Sequence, residues 1–404
     1  MAGTTITGWA PPTPVMPEGS CRILGISGRR LYAVLLGWFF IVFDGYDLIV
    51  YGTVQSELME EWNLTSASAG TIGSMAFVGM VIGAVGIGRL SDRIGRKTAV
   101  IGSVVILSMF TVLCGLATSA VTFGLYRLIA GIGLGGLVPS VNALCADLVP
   151  ARKMAAWSTV IMAGVPLGGS IAAILAGFIV PSHEDWGWRM MFLIALVPLA
   201  VGLPLAMRII PADKEIIDDL RHRGQRMPEG SAVQKQPGFG ALFAPQYRSA
   251  TVMFAIATFV TLLAWYGLGT WLPRLMQEQG YNLGASLNFT LALNLGAIIG
   301  SVVAIYAILV LAGVGTHGTQ ILIIAAVTQF YPHQLRGTGL GWALGVGRIG
   351  AVVAPQMAGL LLAWGLGPAS SYLMFGIAAI LSGLSLFVLW RIARARPPVL
   401  TRVD

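Results

Sequence analysis

The sequence predicts an all-α polytopic membrane protein whose helices form two bundles. Of its 404 residues, 56% are hydrophobic and only 10% are charged, whereas soluble domains carry about 25% charged residues. Eleven apolar segments are each close to the roughly 20 residues that a helix needs to cross the hydrocarbon core of a bilayer. One polar, basic stretch at 209–248 divides six of these segments from the other five.

The predicted spans follow one another with short connections. They are 31–54, 69–87, 98–117, 121–145, 155–180, 189–208, 250–272, 287–304, 305–330, 339–363 and 370–390. The first 30 residues are polar, are rich in proline and glycine, and lack the apolar core of a signal peptide. We therefore expect an N-terminal tail at 1–30, a six-helix bundle at 31–208, a central loop at 209–248, a C-terminal bundle at 249–390 and a basic tail at 391–404.

The lysine and arginine residues predict the orientation of the spans. Basic clusters precede the first span, follow the second and fourth, and occupy the central loop, whereas the loops at 55–68, 117–121 and 181–188 contain no Lys or Arg. Because cytoplasmic loops are enriched in these residues, we expect a cytoplasmic N-terminus and a multi-pass protein of the plasma (inner) membrane. This placement explains the net charge of +8, so we expect no nucleic-acid partner.

The two halves of the chain resemble each other. Glycine and proline landmarks recur at an offset of 182 residues: Gly131 with Gly313, Pro150 with Pro332, and Gly168 with Gly350. Such a parallel repeat is typical of transporters built from two related bundles.

Earlier in each half the offset is larger. Gly79 and Gly83 match Gly296 and Gly300 at an offset of 217, so the offset falls by 35 residues just after Ala304. A loop and one helix need about that many residues. We infer a twelve-helix ancestor whose second half has lost a basic loop and the ninth helix, which leaves eleven spans. A twelfth span would also place the basic C-terminal tail on the cytoplasmic side.

Two aspartates lie inside the first span. Asp44 and Asp47 are three residues apart, which puts them on one helical face, and a charged aspartate at the centre of a membrane helix costs on the order of 3 kcal/mol. This pattern predicts a proton or substrate site near mid-membrane. The alternative is that one aspartate lies near the helix end and only the other is deep.

The segment from Gly88 to Lys97, GRLSDRIGRK, is the most specific motif in the chain. It fits the pattern G-x-L-x-D-R-x-G-R-K between the second and third helices of the major facilitator superfamily, which this sequence therefore resembles. Further segments make it similar to the aromatic acid:proton symporters of that superfamily. They are Asp44-Gly45-Tyr46-Asp47, Arg127 with Gly131 and Gly133, Trp271-Leu272-Pro273, and the run from Tyr331 to Gly350.

The resemblance implies a major-facilitator-type two-bundle fold and a set of functional residues. For proton coupling these are Asp44, Asp47 and Asp147, the last where the family usually has Glu. For substrate binding the resemblance implies Arg348 and Arg127. An aromatic substrate needs flat apolar walls and groups that orient its ring, and the residue types add as candidates Tyr46, Tyr266, Trp271, Asn294, His317 and Gln320. For gating the candidates are Gly88, Asp92, Arg93, Gly95, Arg96 and Arg336.

Arg348 has the strongest support from the sequence itself. It lies about nine residues into an apolar segment, too deep for its side chain to reach the interface easily, so we expect it to face a cavity or a partner. An arginine there suits a substrate carboxylate, which it can bind through two parallel hydrogen bonds. The alternative is a structural ion pair with a carboxylate of the other bundle.

The other candidates each have a structural alternative. Aromatic side chains can wall a flat substrate, or they can form an interfacial belt. Polar groups in apolar segments can orient a ring hydroxyl, or they can bond a neighbouring helix. Arg127 can serve as a second carboxylate site or reach the interface, and Arg336 can gate the pathway or anchor the orientation.

The predicted function is import of an aromatic carboxylate of the benzoate or hydroxybenzoate type together with protons. The bundles would rock around a central site, and the loop around Asp92 would latch one state. We expect a monomer without cofactor or metal. Alternatives are a proton symporter of another organic anion, a drug exporter, and a non-transporting or degenerate membrane protein. An enzyme is not expected, because the sequence contains no nucleotide-binding loop, no metal-ligand cluster and no nucleophile–base spacing.

Overall fold

The computed structural model describes residues 28–150, 153–183, 186–212, 215, 239–245, 247–302, 320, 323, 327 and 333–395. Every regular element in these ranges is helical. The helices are α1 Gly28–Thr53, α2 Gln55–Glu61, α3 Ser66–Ile94, α4 Arg96–Gly115, α5 Ala120–Leu148, α6 Met154–Ser182, α7 Gly187–Leu193, α8 Leu203–Ile209, α9 Arg248–Glu278, α10 Leu283–Val302, α11 His333–Ala363 and α12 Gly367–Ala395.

Ten of the eleven predicted spans coincide with described helices. Nine of the described segments are long and apolar enough to cross a membrane, and one of these, Gly187–Ile209, joins α7 and α8 through the π-helical turn Pro198–Gly202. The predicted span at 305–330 falls almost wholly outside the described residues. The loop predicted at 55–68 is corrected by the structure, because it contains the short helix α2.

The helices of each bundle pack through glycines at which the backbones nearly touch. A Cβ atom on Gly168 of α6 would lie 1.8 Å from the carbonyl oxygen of Val42 in α1, and one on Gly350 of α11 would lie 2.2 Å from that of Phe259 in α9. The pairs are related by the two offsets found in the sequence, 182 for the glycines and 217 for their partners. The structure thus repeats one helix contact in both halves, as the offsets predict.

The two bundles meet along α3 and α11. Near one end of the molecule, a Cβ atom on Gly359 of α11 would lie 2.4 Å from the carbonyl oxygen of Ser66 at the start of α3. Further along, Ser74 donates a hydrogen bond to the carbonyl oxygen of Val352 over 2.7 Å. The end of the molecule with the Gly359–Ser66 contact is called the α2 end, because α2 also lies there. The opposite end, where α3 turns into α4, is called the loop end.

Candidate substrate and proton site

Asp44 is a buried carboxylate in the second half of α1. It is 1% exposed, and its Oδ1 atom has no hydrogen-bond partner in the described part of the chain. The charges that act on it are Arg348 first and then Asp47. Among the described residues it forms no ion pair within 4.0 Å. Asp44 therefore interacts electrostatically with Arg348 but forms no ion pair with it.

Arg348 reaches from the C-terminal bundle to the N-terminal one. Its Nη1 atom donates a hydrogen bond to the carbonyl oxygen of Met80 in α3 over 3.3 Å. Tyr266 of α9 and Asp44 of α1 are the groups that act on its charge, and the ring of Tyr266 packs against that of Phe77 with centroids 4.7 Å apart. We call Asp44, Phe77, Tyr266 and Arg348 the central cluster. It brings together an arginine, a carboxyl group and two aromatic rings between the bundles.

Asp47 has a different environment from Asp44. Its Oδ2 atom accepts a hydrogen bond from Nη1 of Arg127 over 2.7 Å, and its Oδ1 atom accepts one from the Thr111 hydroxyl over 2.7 Å. Both partners of the ion pair are almost fully buried. Residues three apart on a helix point about 60° away from each other, so Asp47 faces the interior of the N-terminal bundle while Asp44 faces Arg348. Arg127 and Thr111 thus occupy the two carboxylate oxygens of Asp47 in this structure.

Two aromatic residues proposed as pocket walls lie elsewhere. The Tyr46 hydroxyl donates a hydrogen bond to the carbonyl oxygen of Met191 over 2.7 Å, and Nε1 of Trp271 donates one to that of Pro355 over 3.1 Å. Both side chains are buried within their own bundles. They hold neighbouring helices together, and of the three proposed aromatic residues only Tyr266 belongs to the central cluster.

Asn294 of α10 faces α6 across the bundle interface. Its side-chain nitrogen donates a hydrogen bond to the carbonyl oxygen of Thr290 over 2.9 Å, and its Oδ1 atom is buried without a partner. A Cβ atom on Gly169 would lie 2.5 Å from that oxygen. Gln320 is described only as a half-buried helical residue, and His317 lies outside the described residues.

The gating motif forms the turn between α3 and α4 at the loop end. Gly95 has φ 96°, a conformation that favours glycine. Arg96 lies 3.8 Å from Asp147, and both side chains are about one-third exposed. Nζ of Lys97 donates hydrogen bonds to the carbonyl oxygens of Met207 and Ile210 at the end of α8.

Asp147 is therefore placed with the gating residues rather than with Asp44. The reason is that α5 continues to Leu148, which puts Asp147 in its last turn, at the loop end of the molecule. Gly88, Asp92 and Arg93 lie in the last two turns of α3, and Arg336 lies in the first turn of α11. Their side chains are outside the described part of the structure.

Three residues around the site could not be identified from the sequence. Thr111 completes the surroundings of Asp47, Phe77 packs on Tyr266, and the backbone of Met80 receives Arg348. Threonine, phenylalanine and methionine are ordinary residues of apolar helices, so only the packing of helices shows what they contact.

A sequence model of the Major Facilitator Superfamily matches residues 37–307. The chain is 63% identical to the gentisate transporter of Corynebacterium glutamicum over 92% of this chain and 90% of that protein. It is 33% identical to the benzoate transport protein of Acinetobacter baylyi over 88% of each chain. A crystal structure of a D-xylose-proton symporter superposes with a TM-score of 0.70 at 17% identity, over 90% of this chain and 98% of that one.

The comparison with the Corynebacterium protein also bears on the shortened second half. The alignment spans 407 positions but covers 92% of this chain, which is about 372 of its 404 residues. About 35 aligned positions therefore have no residue of this chain opposite them. That number equals the difference between the two repeat offsets, and the family match ends three residues after Ala304.

Proposed function

The chain belongs to the aromatic acid transporters of the Major Facilitator Superfamily, and on this premise we propose that it imports a benzoate-type carboxylate together with protons. The observation that carries the proposal is the central cluster, where Arg348 and the unpaired Asp44 meet two aromatic rings between the bundles. Superfamily transporters bind substrate at this place, midway across the membrane and between the two repeats.

The substrate carboxylate binds Arg348 in this proposal. A guanidinium can bind a carboxylate through two parallel hydrogen bonds, and Arg348 makes a single 3.3 Å hydrogen bond to a carbonyl oxygen in the structure. The rings of Phe77 and Tyr266 supply a flat apolar surface for the substrate ring. Since the relative with 63% identity is named for gentisate, a dihydroxylated benzoate is the first candidate substrate.

Asp44 carries the coupled proton. Without substrate, Arg348 and ionised Asp44 balance each other's charge. A substrate carboxylate that binds Arg348 adds a negative charge to a buried site, and a proton on Asp44 removes one. Each ligand therefore favours binding of the other, which is the reciprocal coupling that symport requires.

The α2 end faces the outside in this proposal. The loops at that end lack Lys and Arg, and the basic motif with Gly95 and Arg96 lies at the loop end. The contacts of α3 with α11 close the α2 end. With this orientation the structure is a state closed to the outside, and we propose that rocking of the bundles opens that end for loading.

A second candidate function is substrate binding without transport. The observation that favours it is the set of about 35 positions that the Corynebacterium relative has and this chain lacks. Loss of one helix after Ala304 would change the orientation of every later span.

Uptake of labelled gentisate, benzoate and 4-hydroxybenzoate into proteoliposomes distinguishes these functions. We expect uptake of at least one acid, and at least a tenfold lower rate for Arg348→Lys, because an ammonium cannot make the two parallel hydrogen bonds. Arg189→Lys is the control, since Arg189 pairs with Glu61 away from the central cluster. Ligand-induced thermal stabilisation without uptake would favour the binding function, and the absence of both would contradict the proposal.

A further inference from the structure

The short helix α2 closes the bundles against each other. The Ser56 hydroxyl donates a hydrogen bond to Oε1 of Gln277 near the end of α9. Just before α2, a Cβ atom on Gly52 would lie 2.5 Å from the carbonyl oxygen of Gly269 and 2.8 Å from that of Thr270. This contact joins the helix that carries Asp44 to the C-terminal bundle, so it has to separate whenever the α2 end opens.

Next to this contact, α2 carries buried polar groups that have no partner among the described residues. Gln55 is 1% exposed, and within the described ranges neither the oxygen nor the nitrogen of its side-chain amide has a hydrogen-bond partner. Glu57 is half-buried, and its Oε2 atom is buried without a hydrogen-bond partner among the described residues. A buried polar atom without a partner is unfavourable, and an ionised carboxylate is the most unfavourable case. The closed contact therefore disfavours a charged Glu57.

The charges around Glu57 do not offset this effect. Glu60 lies on the same helix, and Arg274 faces it from α9, where Nε of Arg274 donates a hydrogen bond to Glu278 over 3.1 Å. Of the other elements that contact α2, the last turn of α1 and the first turn of α3 contain no charged residue. Arg189 of α7 pairs with Glu61, the last residue of α2, over 2.6 Å. Burial raises the pKa of Glu57, and Glu60 raises it further, against smaller opposing effects of its own backbone hydrogen bond and Arg274.

We propose that Glu57 is a second proton-binding site, which holds a proton while the α2 end is closed and releases it when that end opens. The carboxylate takes the proton from water at the α2 end and becomes a neutral carboxylic acid, and no other bond changes. In the open state Glu57 is exposed to water and ionises. The inference rests on the proposed proton-coupled function and extends it to the closing step.

This role differs from that of Asp44. A proton that binds at the α2 end on closure and returns to the same side on opening does not cross the membrane. Glu57 therefore sets how readily the α2 end closes at a given pH, and it leaves the number of protons imported with each substrate unchanged. A low pH on the side of the α2 end favours closure of that end. With the α2 end outside, an inward proton gradient acidifies that side and so promotes the closing step that import requires.

Distances between spin labels on the two bundles test the proposal without any substrate. Ser68→Cys at the start of α3 and Gln279→Cys after α9 place labels at two exposed positions, and Cys21→Ser removes the cysteine of the N-terminal tail. Cys114 and Cys145 are buried. In nanodiscs, we expect the short distance of the closed state to gain population as the pH falls. With Glu57→Gln, which mimics the protonated side chain, the short distance should dominate at every pH.

Glu60→Gln is the matched control, because it removes an exposed carboxylate one turn away on the same helix. It should keep the pH-dependent change, with the midpoint displaced to lower pH. A Glu57→Gln protein that keeps the full pH dependence would overturn the proposal, as would labels whose distances do not respond to pH at all. Neither result depends on transport, so failure of this inference is distinguishable from failure of the proposed function.

Discussion

Replacing Asp47 by Asn should destabilise the protein strongly, because it removes the counter-charge of a buried arginine. The Asp47–Arg127 ion pair is 2.7 Å long, with side-chain exposures of 3% and 1%. In the structure Nη1 of Arg127 also donates a hydrogen bond to the backbone carbonyl oxygen of Asp47 over 3.2 Å, and the Tyr51 ring lies 5.9 Å from the guanidinium carbon. These contacts do not depend on the carboxylate and would remain after the substitution. Nε of Arg127 already lacks a partner.

The expected loss is about 3–5 kcal/mol in the free energy of unfolding, the range found when one partner of a buried ion pair is removed. Asp44→Asn provides the comparison. Asp44 has no ion pair within 4.0 Å in the described structure, so its removal should cost less than about 1 kcal/mol or stabilise the protein, because a buried charge disappears.

Reversible unfolding in mixed micelles of increasing SDS content would measure these differences. The double variant Asp47→Asn/Arg127→Met removes both charges and should recover most of the loss. Equal destabilisation by Asp44→Asn and Asp47→Asn would refute the distinction between the two carboxylates. A double variant as unstable as Asp47→Asn alone would show that the loss does not come from the unpaired arginine.

Two further predictions concern glycines. Gly168→Val should separate α1 from α6 and abolish folded expression, because its Cβ atom would lie 1.8 Å from the carbonyl oxygen of Val42. Gly86→Ala is the control, since a Cβ atom there would meet no described atom within 4 Å. Size-exclusion profiles in detergent would compare the two variants. Gly95→Ala should cost about 1–3 kcal/mol through backbone strain at φ 96°. Thermal unfolding against Gly102→Ala, which also meets nothing within 4 Å, measures that cost, and an unchanged transition for Gly95→Ala would refute it.

Most of the fold could be predicted because membrane helices are long apolar runs. The predicted segment 31–54 and the observed helix Gly28–Thr53 differ by only a few residues. The helix α2 was missed because its seven residues contain Glu57, Glu60 and Glu61 and resemble a polar loop. Asp147 was not expected inside a helix, because α5 ends at Leu148, three residues beyond the predicted span 121–145.

The candidate site could be predicted in part. Arg348 and Asp44 were identifiable because each is a charge deep in an apolar run, where the cost of burial requires a reason. The different surroundings of Asp44 and Asp47 were not identifiable, because Arg127 is 80 residues from Asp47 in the chain. Which face of a helix meets which neighbour depends on packing, and the same applies to Tyr46 and Trp271.

Accumulation of labelled gentisate in proteoliposomes under an inward proton gradient tests the central claim most directly. The wild-type chain should accumulate the acid above its external concentration and lose it when a protonophore collapses the gradient. Asp44→Asn should still exchange internal for external substrate but should not accumulate it. Gradient-driven accumulation by Asp44→Asn equal to that of the wild type would contradict the assignment of Asp44 as the proton carrier.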